Sequence, residues 1–234
     1  MSDKAKPEGK GAVVVLSGGQ DSTTALFWAK KRFDEVVAIS FDYDQRHKIE
    51  LEAARVIAVK AGVSHEIFDA KFINQLAPNA LTRKGIEIVA SDDEMPNTFV
   101  DGRNLFFLAM AAVYAKQLGY HDLVTGVCET DFSGYPDCRQ VFVDSLADTL
   151  AYSMEYPFKI HTPMMNIDKA AEVMMAIELG PECMDALSQS HTCYEGQFPP
   201  CGKCPACKLR AKGFERAGYP DPLIDRAKEW YFNV

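Results

Sequence analysis

The chain has 234 residues, 47 % of them hydrophobic, enough to bury the core of one α/β domain or of a domain with a small appendage. A formal net charge of −8 argues against a protein whose main partner is a nucleic-acid backbone, which demands concentrated Lys and Arg, so no stable nucleic-acid partner is expected. No apolar run reaches the roughly 18 residues of a membrane span, and the polar opening at residues 1–7 carries no signal-like hydrophobic segment, so a cytoplasmic protein without a membrane partner is expected.

Residues 1–10 read as a flexible lead-in of small and charged residues. Val13, Val14, Val15 and Leu16 then predict a buried strand. Ser17-Gly18-Gly19-Gln20-Asp21-Ser22-Thr23-Thr24 follows it and opens a helix over about residues 22–32. A helix start presents unpaired N–H groups and about half an elementary positive charge, and anions settle there. Gly18 and Gly19 let the backbone approach a phosphate, and Ser17 and Ser22 add hydroxyl donors. The loop has neither the lysine and spacing of a Walker A loop nor the G-x-G-x-x-G of a dinucleotide turn. The alternative is a strand–turn–helix junction built of small residues.

A second strand, residues 35–41, is continuously apolar from Val36 to Ile39, as in a parallel sheet covered on both faces. Residues 42–47 follow at the strand's C-terminal end, where open α/β sheets bind ligands, which makes them a candidate nucleotide-contacting loop containing Gln45 and His47. A helix over about 48–61, closed by Gly62, and a short strand at 65–69 come next. Residues 70–101 lose periodicity and are read as a lid or partner-contacting insertion, with a surface loop as the alternative. Gly102-Arg103-Asn104 introduces a central apolar helix over 105–118, and Arg103 is placed to clamp a phosphate or carboxylate.

A strand at 122–127 leads into the polar loop 128–139. There Glu129 and Asp131 could accept the ring N–H and amine of a guanine-like base, Phe132 or Tyr135 could stack on it, and Arg139 could pair with an anionic substituent. Alternatively Asp131 or Asp137 caps a helix over about 136–152. A strand near 158–161 precedes a helix over 168–179 that Gly180 and Pro181 close; Lys169 in its first turn either reaches a phosphate or is simply exposed. Four of the seven cysteines, Cys193, Cys201, Cys204 and Cys207, have the spacing of a closed tetrahedral zinc site, with an iron–sulfur cluster as the competing occupant. Cys128, Cys138 and Cys183 read as small buried residues.

Ser17-Gly18-Gly19-Gln20-Asp21-Ser22 resembles the S-G-G-x-D-S loop of the PP-loop ATP pyrophosphatases. Together with Gln45-Arg46-His47, residues 76–82, Gly102-Arg103-Asn104, residues 126–139 and the four cysteines, it makes residues 13–214 similar to the 7-cyano-7-deazaguanine synthase family of queuosine-precursor biosynthesis. The resemblance implies a Rossmann-like (adenine nucleotide alpha hydrolase-like) α/β fold, a parallel sheet flanked by helices over 11–185, with a helical zinc-binding part over 186–234. It implies a ligase forming C–N bonds that uses ATP, Mg2+ and ammonia to turn the carboxylate of 7-carboxy-7-deazaguanine into a nitrile, working as a homodimer with a structural Zn2+. Carried onto this chain, Leu16, Ser17, Gly18, Gly19, Gln20, Asp21, Ser22, Thr23, Gln45, His47 and Lys169 would hold ATP. Ser17, Asp21, Ser22 and Arg103 would carry catalysis, and Arg103, Asn104, Glu129, Asp131, Phe132, Tyr135 and Arg139 would bind the deazapurine.

Three departures from the family pattern, Asp101, Asn166 and the segment 194–200, touch packing more than the reaction. The rival readings are a PP-loop tRNA-modifying enzyme of sulfurtransferase type, which needs a reactive cysteine, and a non-enzymatic zinc module.

Overall fold

The structure, a computed structural model, describes residues 9–45, 48–82, 97–129 and 135–232. Five strands, β1 (Gly9–Val15), β2 (Phe33–Asp42), β3 (Ser64–Asp69), β4 (Asp122–Val124) and β5 (Lys159–His161), form one parallel sheet in the order β3-β2-β1-β4-β5. The register places Val13 between Val37 and Leu123, and Val14 between Ala38 and Val124. The apolar run of β1 is continuous because both faces are covered. Ala12 and Val14 join one buried core, and Val13 joins the other with Ile39 and Leu123.

The first face is covered by α1 (Gln20–Lys30), α2 (Ile49–Ala61), α6 (Lys169–Leu179) and α7 (Pro181–Gln189). The second is covered by α4 (Arg103–Leu118) and α5 (Gln140–Met154), with the short α3 (Phe72–Leu76) at its edge. Then α8 (Pro205–Ala217) packs on α6, and α9 (Pro222–Phe232) packs on α7. The α8–α6 approach is close enough to require Gly213, since a Cβ there would lie 2.7 Å from Lys169 Cβ. Arg210 of α8 is buried and binds both Asp221 oxygens at 2.7 and 2.8 Å, the Ser190 hydroxyl at 2.7 Å and the Thr192 hydroxyl at 3.1 Å, locking α8 to the ends of its neighbours.

Several boundaries differ from the sequence expectation for identifiable reasons. The first helix starts at Gln20, because Gly19 is already its extended N-cap. Strand β4 stops at Val124 rather than 127, because Gly126 passes tightly over the loop after β1. The helix expected over 136–152 is a 3-10 turn, Pro136–Cys138, followed by α5. Arg139 is extended between them, and the Glu129 carboxylate accepts the Gln140 N–H at 3.1 Å to set the start of α5. Gly180 ends α6 as expected, but Pro181 opens α7 rather than closing a segment, since proline is welcome at a first helical position. Within 70–101, α3 is regular; residues 83–96 lie outside the described residues.

Candidate active site

Reversal of strand order at β1 makes the crevice beyond its C-terminal end the natural ligand site of this sheet. The loop from Ser17 to Ser22 fills that position. Leu16 N–H continues the ladder to Ile39 O at 2.8 Å, and the Ser40 hydroxyl binds the Leu16 carbonyl while sharing a 2.7 Å hydrogen bond with His65 Nε2. The loop is therefore rigidly entered.

Gly18 takes φ +84°, and an added Cβ would sit 2.3 Å from Glu50 O and 2.9 Å from Ala54 N, so α2 is pressed directly against the loop. Ser22 is a strut: its hydroxyl accepts Ser17 N–H at 3.1 Å, lies 3.0 Å from the Ser17 hydroxyl, and donates to Gly19 O at 3.2 Å. Ser17 itself is exposed at the loop surface. From the far end of the chain, His191 N–H donates to Gly18 O at 2.8 Å.

The expected nucleotide residues divide on inspection. Thr23 is buried, and both its N–H and its hydroxyl donate to Gly19 O at 3.1 and 2.7 Å, so its polar groups are committed to its own helix turn. Gln45 is likewise buried, accepting Tyr43 N–H at 3.1 Å and donating to Phe41 O at 3.4 Å. These two shape the site from behind. Gln20 is 2 % exposed with neither amide atom hydrogen-bonded among the described residues.

Lys169 is not the exposed lysine that was one alternative. It is 8 % exposed, and its ammonium binds Asp21 Oδ1 at 2.6 Å and Glu172 Oε2 at 2.9 Å. Thr24 Oγ1 donates to the other Glu172 oxygen at 3.4 Å. One buried cation thus ties the anion loop to α6.

Gly126 closes the other side. An added Cβ would lie 2.8 Å from both Asp21 C and Ser22 N, which are backbone atoms that cannot rotate away. Gly126→Ala is therefore expected to displace the loop at a cost of about 1–3 kcal/mol, weakening ATP binding roughly ten- to hundredfold while the fold persists. Equilibrium ATP titration with a parallel circular dichroism melt checks it.

Across from the loop, Arg103 opens α4 after the left-handed Gly102 (φ +71°). Burial opposes its charge, but Tyr43, Asp137, Tyr135 and Cys138 face it and hold its pKa above the ordinary value. The Asp137 carboxylate does not cap its own turn: Oδ2 accepts Asn104 N–H at 3.1 Å and caps α4. Asn104 fastens the same turn, donating to Asp137 O at 3.3 Å and Cys138 Sγ at 3.4 Å, so its side chain is engaged in holding the loop. Tyr135 is buried with its hydroxyl 2.6 Å from the Thr98 hydroxyl and its ring 5.3 Å from that of Phe99, a wall rather than a free stacking platform. Glu129 and Arg139 are exposed, and Glu129 already caps α5. His47, Asp131 and Phe132 lie outside the described residues.

Sequence reasoning missed Glu50, Glu172, His191 and Tyr194, and included Tyr43 only as a member of the candidate loop 42–47. Tyr43 hydrogen-bonds Arg103, and Tyr194, between two of the clustered cysteines, lies in the field of Tyr135, Arg103 and Glu50. None of the four missed residues belongs to a contiguous motif; only the acidic first turn of α2 offered a signal for Glu50.

The sulfurs of Cys193, Cys201, Cys204 and Cys207 all lie within 4.8 Å of one another, against the roughly 3.8 Å separation that 2.3 Å Zn–S bonds in a tetrahedron require. Backbone N–H groups of Cys201, Lys203, Cys204 and Cys207 approach these sulfurs at 3.3–3.5 Å, as suits thiolates. The Cys207 thiol beside it holds Cys204 below the ordinary thiol range. An all-sulfur, closed donor set of this shape could hold a metal ion. Burial pushes Cys138 and Cys183 up to about 12, so neither is a ready nucleophile.

A parallel sheet with a Ser-Gly-Gly-Gln-Asp-Ser anion loop at its switch point, backed by a buried lysine, defines a nucleotide-binding domain of the PP-loop type. The family model described as queuosine biosynthesis protein QueC matches residues 11–218, and the chain belongs to that family of ATP-using enzymes.

Among solved structures, the chain is similar to a 4-thiouridine synthetase in complex with RNA and bound ATP, at 18 % identity and TM-score 0.49, over 97 % of this chain and 54 % of that one. It is also similar to a predicted subunit of tRNA methyltransferase from Methanocaldococcus jannaschii DSM, at 16 % identity and TM-score 0.47, over 73 % and 76 % of the two chains. The chain spans about half the length of the first of these. Among the described residues, no helix is long and apolar enough to cross a membrane.

Proposed function

We propose that this chain converts 7-carboxy-7-deazaguanine and ammonia into 7-cyano-7-deazaguanine by two rounds of ATP-dependent adenylation, as a ligase forming C–N bonds. The observation that carries the reading is the family match over residues 11–218, joined to an anion loop at the switch point of the sheet that Lys169 ties to α6.

A carboxylate is a poor electrophile, and transferring AMP to it creates a leaving group that ammonia displaces. The amide oxygen needs the same activation before it can leave as AMP and yield the nitrile. Ser17 and the N–H groups at Gly18 and Gly19 would receive pyrophosphate, with Ser22 bracing them and Asp21 set by Lys169. Arg103 would grip the substrate carboxylate or the adenylate phosphate. Mg2+, held through Asp21 or bound water, would neutralise the departing pyrophosphate. Catalysis rests on positioning and charge.

We assign residues 186–234 to a zinc-binding unit with a structural ion on the four cysteines, and expect a cytoplasmic homodimer with small-molecule partners, a state that sedimentation analysis tests. The reaction itself is tested by incubating the protein with 7-carboxy-7-deazaguanine, ATP, Mg2+ and ammonium, followed by mass spectrometry. Nitrile with two AMP per turnover is expected; neither nitrile nor AMP would overturn the proposal. The sulfurtransferase alternative requires a competent thiol, and the high pKa of Cys138 opposes it. Cys128→Ser and Cys138→Ser variants should accordingly keep nitrile formation within a fewfold of wild type.

A further inference from the structure

We propose that His191 is a positioning residue for the anion loop: it sets the Gly18–Gly19 peptide and ties it to the four-cysteine set, so that nucleotide binding and metal retention strengthen each other. The inference rests on the zinc assignment proposed above and not on the nitrile chemistry.

His191 is 4 % exposed and touches both places. Its N–H donates to Gly18 O at 2.8 Å, and its own carbonyl oxygen lies 3.7 Å from where a Cβ on Gly19 would stand, so its backbone runs along the loop. Its ring Nε2 lies 3.1 Å from Cys193 O. A carbonyl only accepts, so Nε2 carries the proton and donates.

The residues on either side of His191 are held as well. Nη1 of the buried Arg210 reaches the Ser190 hydroxyl at 2.7 Å and the Thr192 hydroxyl at 3.1 Å. Arg210 follows Cys207 by one turn of α8, the helix that Cys204 caps. The cysteine set therefore reaches His191 from two directions, directly through Cys193 and by way of α8 through Arg210.

What His191 fixes is a peptide plane. In a trans peptide the C=O and N–H point to opposite sides, so a donor on Gly18 O also aims the Gly19 N–H. That N–H is turned toward the exposed Ser17 hydroxyl, 3.4 Å away, on the side of the loop where a phosphate would take it. Glycine on both sides makes this the easiest peptide of the loop to turn over, and the restraint has to come from outside the loop. His191 supplies it.

A metal that draws the four sulfurs together places Cys193 and the start of α8, and through them His191. Linkage is reciprocal: if metal improves the loop for nucleotide, nucleotide retains the metal by the same factor.

The test follows zinc release from the zinc-loaded full chain into excess chromogenic chelator, with and without saturating ATP and Mg2+ and with no deazapurine present. Wild type is compared with His191→Leu, which keeps bulk without a donor, and with His191→Gln, whose amide nitrogen can stand where Nε2 stands. Zinc binding by free ATP is then a background common to all three. Nucleotide should slow release from wild type about tenfold, as is usual for coupled sites. In His191→Leu the slowing should shrink to about twofold or less, and ATP should bind about tenfold more weakly at about one zinc per chain. His191→Gln should keep most of both effects.

Release from wild type that nucleotide leaves unchanged overturns the proposal, and so does coupling in His191→Leu as large as in wild type. A His191→Gln variant as impaired as His191→Leu overturns it too, since packing and not the hydrogen bond would then be at work. If melting shows that His191→Leu does not fold, the wild-type rates decide, and slowing of less than about twofold overturns the proposal. Wild type that carries no zinc removes the zinc assignment itself, and the role of His191 falls with it.

Discussion

Lys169→Met should lower the melting temperature by roughly 6–20 °C and abolish detectable nitrile formation. The ammonium lies between Asp21 and Glu172, at 2.6 and 2.9 Å from their oxygens, and Glu172 is 2 % exposed. Removing one partner of a buried ion pair costs about 3–5 kcal/mol because the other charge is stranded, and in a chain of this size each kcal/mol is worth about 2–4 °C. The functional loss has a separate origin: without the tie from α6, Asp21 is free to turn toward the phosphates and repel them.

A double variant separates the two effects. Lys169→Met with Glu172→Leu removes both charges, so most of the thermal loss should return while activity stays absent. Differential scanning calorimetry and the nitrile assay read the two outcomes, and a single variant that melts within 2 °C of wild type would refute the buried-pair account.

Cys204→Ser, or prolonged chelation, should have the larger structural effect. Closed four-thiolate sites contribute roughly 10–16 kcal/mol in small zinc modules, comparable with the whole stability of a domain at about 5–15 kcal/mol. Cys204 is also the N-cap of α8, its sulfur accepting the Cys207 N–H at 3.5 Å, so the same change removes a ligand and a cap.

The damage should spread. Helix α8 carries Arg210, which holds the ends of α7 and α9, and Gly213, which lies against Lys169. Metal loss should therefore melt the C-terminal helices and weaken ATP binding. Metal analysis should find about one zinc per wild-type chain and well under one in the variant. A variant with normal metal content, or one with unchanged ATP affinity after metal loss, would contradict this.

What could be read from the sequence is what lies close together along it. The anion loop was legible because an apolar run, two glycines and hydroxyl residues are consecutive there, and the parallel sheet because β1 and β2 are apolar without alternation. The four cysteines announce a metal set by spacing alone.

Groups that matter through tertiary contact left little trace. Asp137 looked like a cap for the helix that follows it, yet it caps α4, thirty-odd residues earlier in the chain, because the 3-10 turn folds back over that helix start. Lys169 resembled any first-turn lysine until α6 was laid beside Asp21. Tyr135, Thr23 and Gln45 carry groups that suit a ligand, but each spends its hydrogen bonds on its own protein neighbours. A polar side chain in a motif is available to a ligand only when the fold has not already claimed it, and that is decided by distant residues.

The strut from His191 N–H to Gly18 O bears on how the molecule is made. The donor leaves the ribosome long after the acceptor, so a chain released before the cysteine-rich segment emerges would carry every residue of the loop without the brace from His191.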